Sequence, residues 1–117
     1  PTAAEGAAAT ASAAPSPSAA RVLRGVATWY CGHGSPCTRG VPAGTMAAAA
    51  GPALRRALGP SWRGTLVEAC SASDCVRVRL VDWCACPGGR LLDLYSAAFS
   101  ELAPLSAGVV RVTVRLP

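Results

Sequence analysis

The residues best suited to chemistry cluster in Val81-Asp82-Trp83-Cys84-Ala85-Cys86 and, after a Pro/Gly/Arg turn, Leu91-Leu92-Asp93-Leu94. These two stretches hold two of the six acidic residues and two of the six cysteines. Cleaving a glycosidic bond needs a proton donor at the leaving oxygen, commonly one of two carboxyl groups flanking the bond. Asp82 and Asp93 are the candidate pair. A carboxyl group buried beside an apolar ring becomes a better acid for work near neutral pH, and Asp82 stands next to Trp83. The same residue also fits a structural role, accepting hydrogen bonds from Thr28 and from loop N–H groups. Asp93 fits a role at the N-terminus of the helix that follows it. Trp29, Tyr30 and Trp83 offer faces for stacking on sugar rings, although a small domain also needs aromatic rings in its core. Arg77 and Arg79, with Arg111 and Arg115, suit an anionic glycan or plain solvent.

Strands must carry these groups. Val76-Arg77-Val78-Arg79-Leu80 alternates, with Val76, Val78 and Leu80 on one face and the arginines on the other, and Asp82 lies where the run ends. Gly25 to Tyr30 reads as a strand with Val26, Thr28 and Tyr30 on one face and Ala27 and Trp29 on the other. Gly64–Cys70 and Cys75–Asp82 read as a hairpin joined by Ser71-Ala72-Ser73-Asp74. Val109–Leu116 alternates again, with Val110, Val112, Val114 and Leu116 on one face. Met46–Ala50 reads equally as a short strand or a helical turn, and Leu54 and Leu58 have helical i, i+4 spacing between two Gly-Pro breaks. Ser96 is the candidate N-cap of a short helix over Ala97–Leu102, stopped by Pro104. His33 lies in the glycine-rich loop Cys31–Gly44 and reads as a solvated loop residue.

Six cysteines in a small chain, none in a C-x-x-C pair, point to disulfides and an oxidising compartment rather than to zinc. Cys70 and Cys75 face each other across the hairpin. A bridge between Cys84 and Cys86 would be strained, and pairing Cys31 with Cys37 would force it. The expectation is therefore that Cys31 and Cys37 pair with Cys84 and Cys86, in unknown order.

The 117 residues suffice for one domain with a modest core. Residues 1–21 are rich in Ala, Ser and Pro and read as a disordered linker or leader remnant, leaving residues 22–117 as the folded domain. All eleven basic residues are arginine, and the formal net charge is +5, compatible with anionic polymers such as cell wall. No apolar run is long enough to span a bilayer. No Lys/Arg run, stacking-aromatic motif or groove-reading helix supports nucleic-acid binding. No Cys–His spacing supports a cysteine nucleophile. Nothing calls for a cofactor or metal, and a monomer is expected.

The order of these pieces resembles the double-psi β-barrel domain of the rare lipoprotein A, expansin and barwin superfamily. The resemblance covers roughly Leu23 to Leu116. Gly25–Tyr30 is similar to that family's Gly-x-Ala-Ser/Thr-Trp/Tyr-Tyr opening, Val81–Cys86 to its Asp-containing turn, and Leu92–Phe99 to its Asp-Leu-Ser-x-x-Ala-Phe segment. It implies an all-β, six-stranded closed barrel with a short helix between the last two strands. It also implies an open groove with Thr28, Tyr30, Asp82 and Asp93 near its floor. In lytic transglycosylases of this type the aspartate matching Asp82 is a candidate acid/base, and in expansins the one matching Asp93 is required for activity on walls. Two departures bear on catalysis. Met46–Gly51 has no histidine where transglycosylase-like members carry one after an Ala-Ala pair. The Asp-Trp-Cys-Ala-Cys turn is one residue shorter between cysteines than the barwin-like pattern and lacks Arg-Gly-Pro. The implied function is a secreted or wall-associated barrel that binds cell-wall polysaccharide, notably peptidoglycan, with little hydrolysis. The alternatives are a lytic transglycosylase using Asp82 and a protease inhibitor presenting the Cys31–Cys37 loop.

Overall fold

The computed structural model describes residues 21–32 and 34–117. The linker reading of the N-terminal segment and the reading of His33 therefore fall on residues outside those described. Six strands form a closed barrel: β1 (Val22–Tyr30), β2 (Ala47–Ala50), β3 (Leu66–Cys70), β4 (Cys75–Trp83), β5 (Arg90–Tyr95) and β6 (Val110–Arg115). Their order around the barrel is β1-β5-β2-β4-β3-β6, closing back on β1. Two pairs are parallel, β1 with β5 and β2 with β4, and the remaining contacts are antiparallel. This is the all-β double-psi barrel the sequence resembles. Helix α1 (Pro52–Leu58) realises the Leu54/Leu58 spacing, α2 (Ser96–Phe99) follows β5, and a short 3-10 turn spans Leu105–Ala107.

The alternating runs fill the interior. Val76, Val78 and Leu80 of β4 and Val112 and Val114 of β6 are buried, while Arg77 and Arg79 are exposed. Ala27, Leu92 and Leu94 join them, and Leu54 and Phe99 from the helices pack against the same core. Burial of this apolar surface is the main stabilising force. Four alanines are weak strand formers by propensity, yet Ala47–Ala50 form β2 because ladders on both sides, to β4 and β5, satisfy their backbone groups. Gly51 ends that strand. A β-carbon there would lie 2.7 Å from the Leu91 carbonyl oxygen and 2.9 Å from that of Arg90, so only glycine allows the approach that lets its N–H bond Leu91.

The bridges are Cys31–Cys37, Cys70–Cys75 and Cys84–Cys86. The hairpin bridge is as expected, but the expected pairing of Cys31 and Cys37 with Cys84 and Cys86 is not what the fold makes. Topology gives the reason. β5 runs parallel to β1 and β4 parallel to β2, but β2 and β5 are antiparallel. β1 and β4 therefore run in opposite directions, so Cys31 and Cys84 leave opposite ends of the barrel. Two strands also separate β1 from β4, a span of about 14 Å, beyond the ~7 Å Cα reach of a disulfide. Each loop instead turns back on itself, with Cys31 (φ 67°) and Cys86 (φ 22°) at positive φ.

Candidate functional site

Asp82 and Asp93 come level through a register slip. Strict alternation after Val76, Val78 and Leu80 would send Asp82 into the core. Between β2 and β4, however, Ala48 pairs with Leu80 and Ala49 with Asp82, so Val81 has no partner of its own. This bulge turns Asp82 to the outer face. Asp93 on β5 also pairs with Ala49, and Thr28 on β1 pairs with Asp93. One row thus crosses four strands: Thr28, Asp93, Ala49, Asp82. The two acids flank a single small residue and stand two strand spacings apart, about 9–10 Å between Cα atoms.

The next row holds the aromatic residues. Tyr30 pairs with Tyr95, and their rings meet edge to face at 5.1 Å. Tyr95 is fully buried, with Cys31 and Ala47, in a small cluster outside the barrel that Tyr30, Cys37, Val41 and Val81 complete. The Cys31–Cys37 loop lies over this cluster. The Tyr95 hydroxyl accepts from the Thr38 N–H at 3.1 Å and donates to the Val41 carbonyl at 3.1 Å. Ser96 Oγ donates to the Cys31 carbonyl at 2.8 Å. That hydroxyl makes no N-cap bond, and the helix starts after Tyr95 instead. Ser96 holds the loop rather than the helix.

The loop is fixed so that Thr38 reaches the outer face that carries both acids, where the resemblance implies a groove, or furrow. Thr38 Oγ1 donates to Asp82 Oδ2 at 3.0 Å and lies 2.8 Å from the Tyr30 hydroxyl. A threonine hydroxyl has one proton, so Tyr30 donates to Thr38, which donates to Asp82. The Trp83 N–H gives Asp82 Oδ1 a further bond at 2.8 Å. Asp82 thus accepts two hydrogen bonds, from the Trp83 N–H and from Thr38 rather than from the expected Thr28. Thr28 donates to Asp93 Oδ1 at 2.9 Å.

Burial pushes the Asp93 carboxyl above its ordinary value; the Thr28 hydrogen bond and the Arg90 charge pull the other way without cancelling it. Burial also pushes the Tyr30 phenol up to about 12, with the charges of Tyr95, Asp82 and Asp93 adding to the rise against the Thr38 hydrogen bond. This face therefore offers a half-buried acid that holds its proton more readily than a free aspartate. Beside it stands a second carboxylate locked as an acceptor.

Thr28, Tyr30, Asp82 and Asp93 are brought together. Trp83 follows Asp82, is 57% exposed and carries the Arg55 guanidinium 5.5 Å from its ring centre. Trp29 packs against the core, its indole N–H donating to the Leu105 carbonyl at 2.9 Å. Arg77 and Arg79 are not drawn into the furrow. Arg77 lines a separate hollow of about 320 Å³ with Glu68 and Arg115, and Arg79 donates to the Gly64 carbonyl at 2.7 Å. Thr38 is the residue that sequence reasoning missed. Its place after Cys37 was the available signal, because a self-closed loop holds the residue beside its bridge.

Residues 22–114 match the family described as lytic transglycolase. The putative EG45-like domain containing protein 1 of Arabidopsis thaliana is 32% identical over 98 residues, covering 75% of this chain and 78% of that protein. The Clavibacter michiganensis expansin, solved as a mutant in complex with cellohexaose, superposes with a TM-score of 0.64 at 26% identity. That match covers 82% of this chain and 50% of the expansin, so the chain spans half the length of that neighbour. The Streptomyces papain inhibitor superposes with a TM-score of 0.59 at 29% identity, covering 81% of this chain and 93% of the inhibitor.

Proposed function

This chain belongs to the lytic transglycolase family of double-psi β-barrels, and from that premise we propose that it is a secreted, wall-associated barrel that binds cell-wall polysaccharide, peptidoglycan in particular. The reading rests on the cross-strand row Thr28–Asp93–Ala49–Asp82 on an outer face, with exposed Trp83 following Asp82. The acids and hydroxyls supply hydrogen-bond partners for sugar hydroxyls, and the indole supplies a stacking face. An expansin neighbour holding cellohexaose supports a glycan as occupant. The net charge of +5 favours an anionic wall over a neutral one, and three disulfides fit an extracellular setting. Binding with little hydrolysis is the favoured mode, since Thr38 and Trp83 N–H already engage both Asp82 oxygens. Should cleavage occur, Asp93 has the better claim as proton donor, because burial raises it.

Incubation with purified peptidoglycan tests the reading. Co-sedimentation that weakens in Trp83→Ala, without release of anhydro-muropeptides, is the expected result. Release of such fragments that disappears in Asp93→Asn would replace binding by catalysis.

A second reading has its own support. The chain covers 93% of the Streptomyces papain inhibitor, and the Cys31–Cys37 bridge closes a loop whose Cys31 carbonyl is held by Ser96, a constrained segment that suits a protease inhibitor. Inhibition of papain at micromolar concentration or below, with no sedimentation on any wall polymer, would make this the function.

A further inference from the structure

On the far side of β1 from Asp93 lies a second feature, which the furrow does not use. β1 pairs with β6 so that Arg24 faces Thr113 and Val26 faces Arg111. Arg24 and Arg111 are diagonal neighbours on one outer face, and such positions lie about 7–8 Å apart. Both are exposed. With Thr113, Gly25, Val26 and Gly89 they line an open hollow of about 540 Å³. Among the described residues, no acid or carbonyl engages either guanidinium, whereas Arg115 on the same strand has Glu68 at 3.5 Å and Arg79 has the Gly64 carbonyl. Two like charges held side by side repel each other, and an anion between them removes that cost.

We propose that this hollow is a binding site for the phosphodiester group of an anionic polymer, with Arg24 and Arg111 as the two cationic arms and Thr113 as a hydroxyl donor. The lining favours an oxyanion over a neutral sugar. Its side chains present guanidinium and hydroxyl donors, include no carboxylate or carboxamide, and offer no aromatic ring for stacking. Gly89 carries no side chain, and the space a β-carbon there would enter is empty, so this turn leaves the approach to the arginines open. The hollow is open to solvent, so a chain of phosphodiesters can lie along it. It does not depend on the furrow or on the glycan proposed there.

Polyphosphate binding by the wild-type chain and by the pair variant Arg24→Gln/Arg111→Gln is the test, read by calorimetry at low and moderate salt. The pair variant is expected to lose about tenfold in affinity, and Arg77→Gln/Arg79→Gln less than twofold. In the wild-type chain, titration with inorganic phosphate should shift the amide resonances of Gly25, Gly89 and Thr113 first. Equal loss from both arginine pairs would mean diffuse charge and overturn the site. Equally tight, equally arginine-dependent binding of polygalacturonate would overturn the phosphodiester assignment. All these arginines are exposed, and an unchanged circular dichroism melt confirms folding of each variant. Binding of uncharged glycan strands reports on the furrow separately and should stay within twofold in Arg24→Gln/Arg111→Gln.

Discussion

Thr38→Val isolates the relay that ties the Cys31–Cys37 loop to Asp82. Valine keeps the shape and the backbone N–H that bonds Tyr95, and removes only the hydroxyl. Two hydrogen bonds go with it, one from the Tyr30 phenol and one to the Asp82 carboxylate. A neutral bond contributes about 1 kcal/mol and one to a charged group about 1.5–3 kcal/mol. The half-buried setting lets water replace part of each, so the expected loss is about 2 kcal/mol. For a domain of this size that corresponds to a fall in Tm of roughly 8–15 °C. The assay is urea unfolding of Thr38→Val, Asp82→Ala and the double variant. Because the two residues share one bond, the double variant should be less destabilised than the sum of the singles, by about 1 kcal/mol. Strict additivity would refute the relay, and with it the assignment of Asp82 as a locked acceptor.

The other predictions follow from the same geometry. Asp93 binds its proton more tightly in the folded than in the unfolded chain, so its contribution to stability is largest at low pH and is lost as pH rises through the raised folded pKa. Asp93→Asn should therefore gain in urea midpoint relative to wild type as pH rises from below 3.8, levelling off once wild-type Asp93 is ionised. In an ultraviolet titration one tyrosine, Tyr30, should ionise at about 12; in Cys31→Ser/Cys37→Ser, with the loop released, it should fall toward the ordinary tyrosine value of 10. Cys70→Ser/Cys75→Ser should cost about 2 kcal/mol, as expected for a short closed loop, and leave glycan binding unchanged. Gly51→Ala should cost about 1–3 kcal/mol in urea unfolding, because its methyl meets two backbone oxygens rather than a yielding side chain.

The strands were legible because their inner faces alternate: Val76, Val78 and Leu80, then Val112 and Val114, name the core without help from the rest of the chain. The grouping of Thr28, Tyr30, Asp82 and Asp93 on one face was legible as well, whatever role these residues play. What a period-2 pattern cannot carry is a slip in register. Val81 without a partner is invisible in the sequence, yet it decides that Asp82 faces outward. The alanine strand was ambiguous because its stability comes from neighbours on both sides rather than from its own residues. The bridge pairing went astray because local strain was weighed without the strand directions, which put Cys31 and Cys84 at opposite ends. Ser96 has the right residue type for a cap, but a stronger use was available at the Cys31 carbonyl.

The position of Ala49 between the acids has a consequence for how the molecule can vary. Asp82 and Asp93 are only a short connector apart along the chain, and that connector is the cysteine turn that departs from the barwin-like length. Yet the connector does not measure out the gap between them. β2 is wedged between β4 and β5 like a fixed-width gauge, so the turn can shorten, lengthen or be redesigned while the gap stays constant. A side chain bulkier than alanine at position 49 would stand between the two acids and crowd both, and it is there, rather than in the loop, that the proposed glycan preference would be engineered.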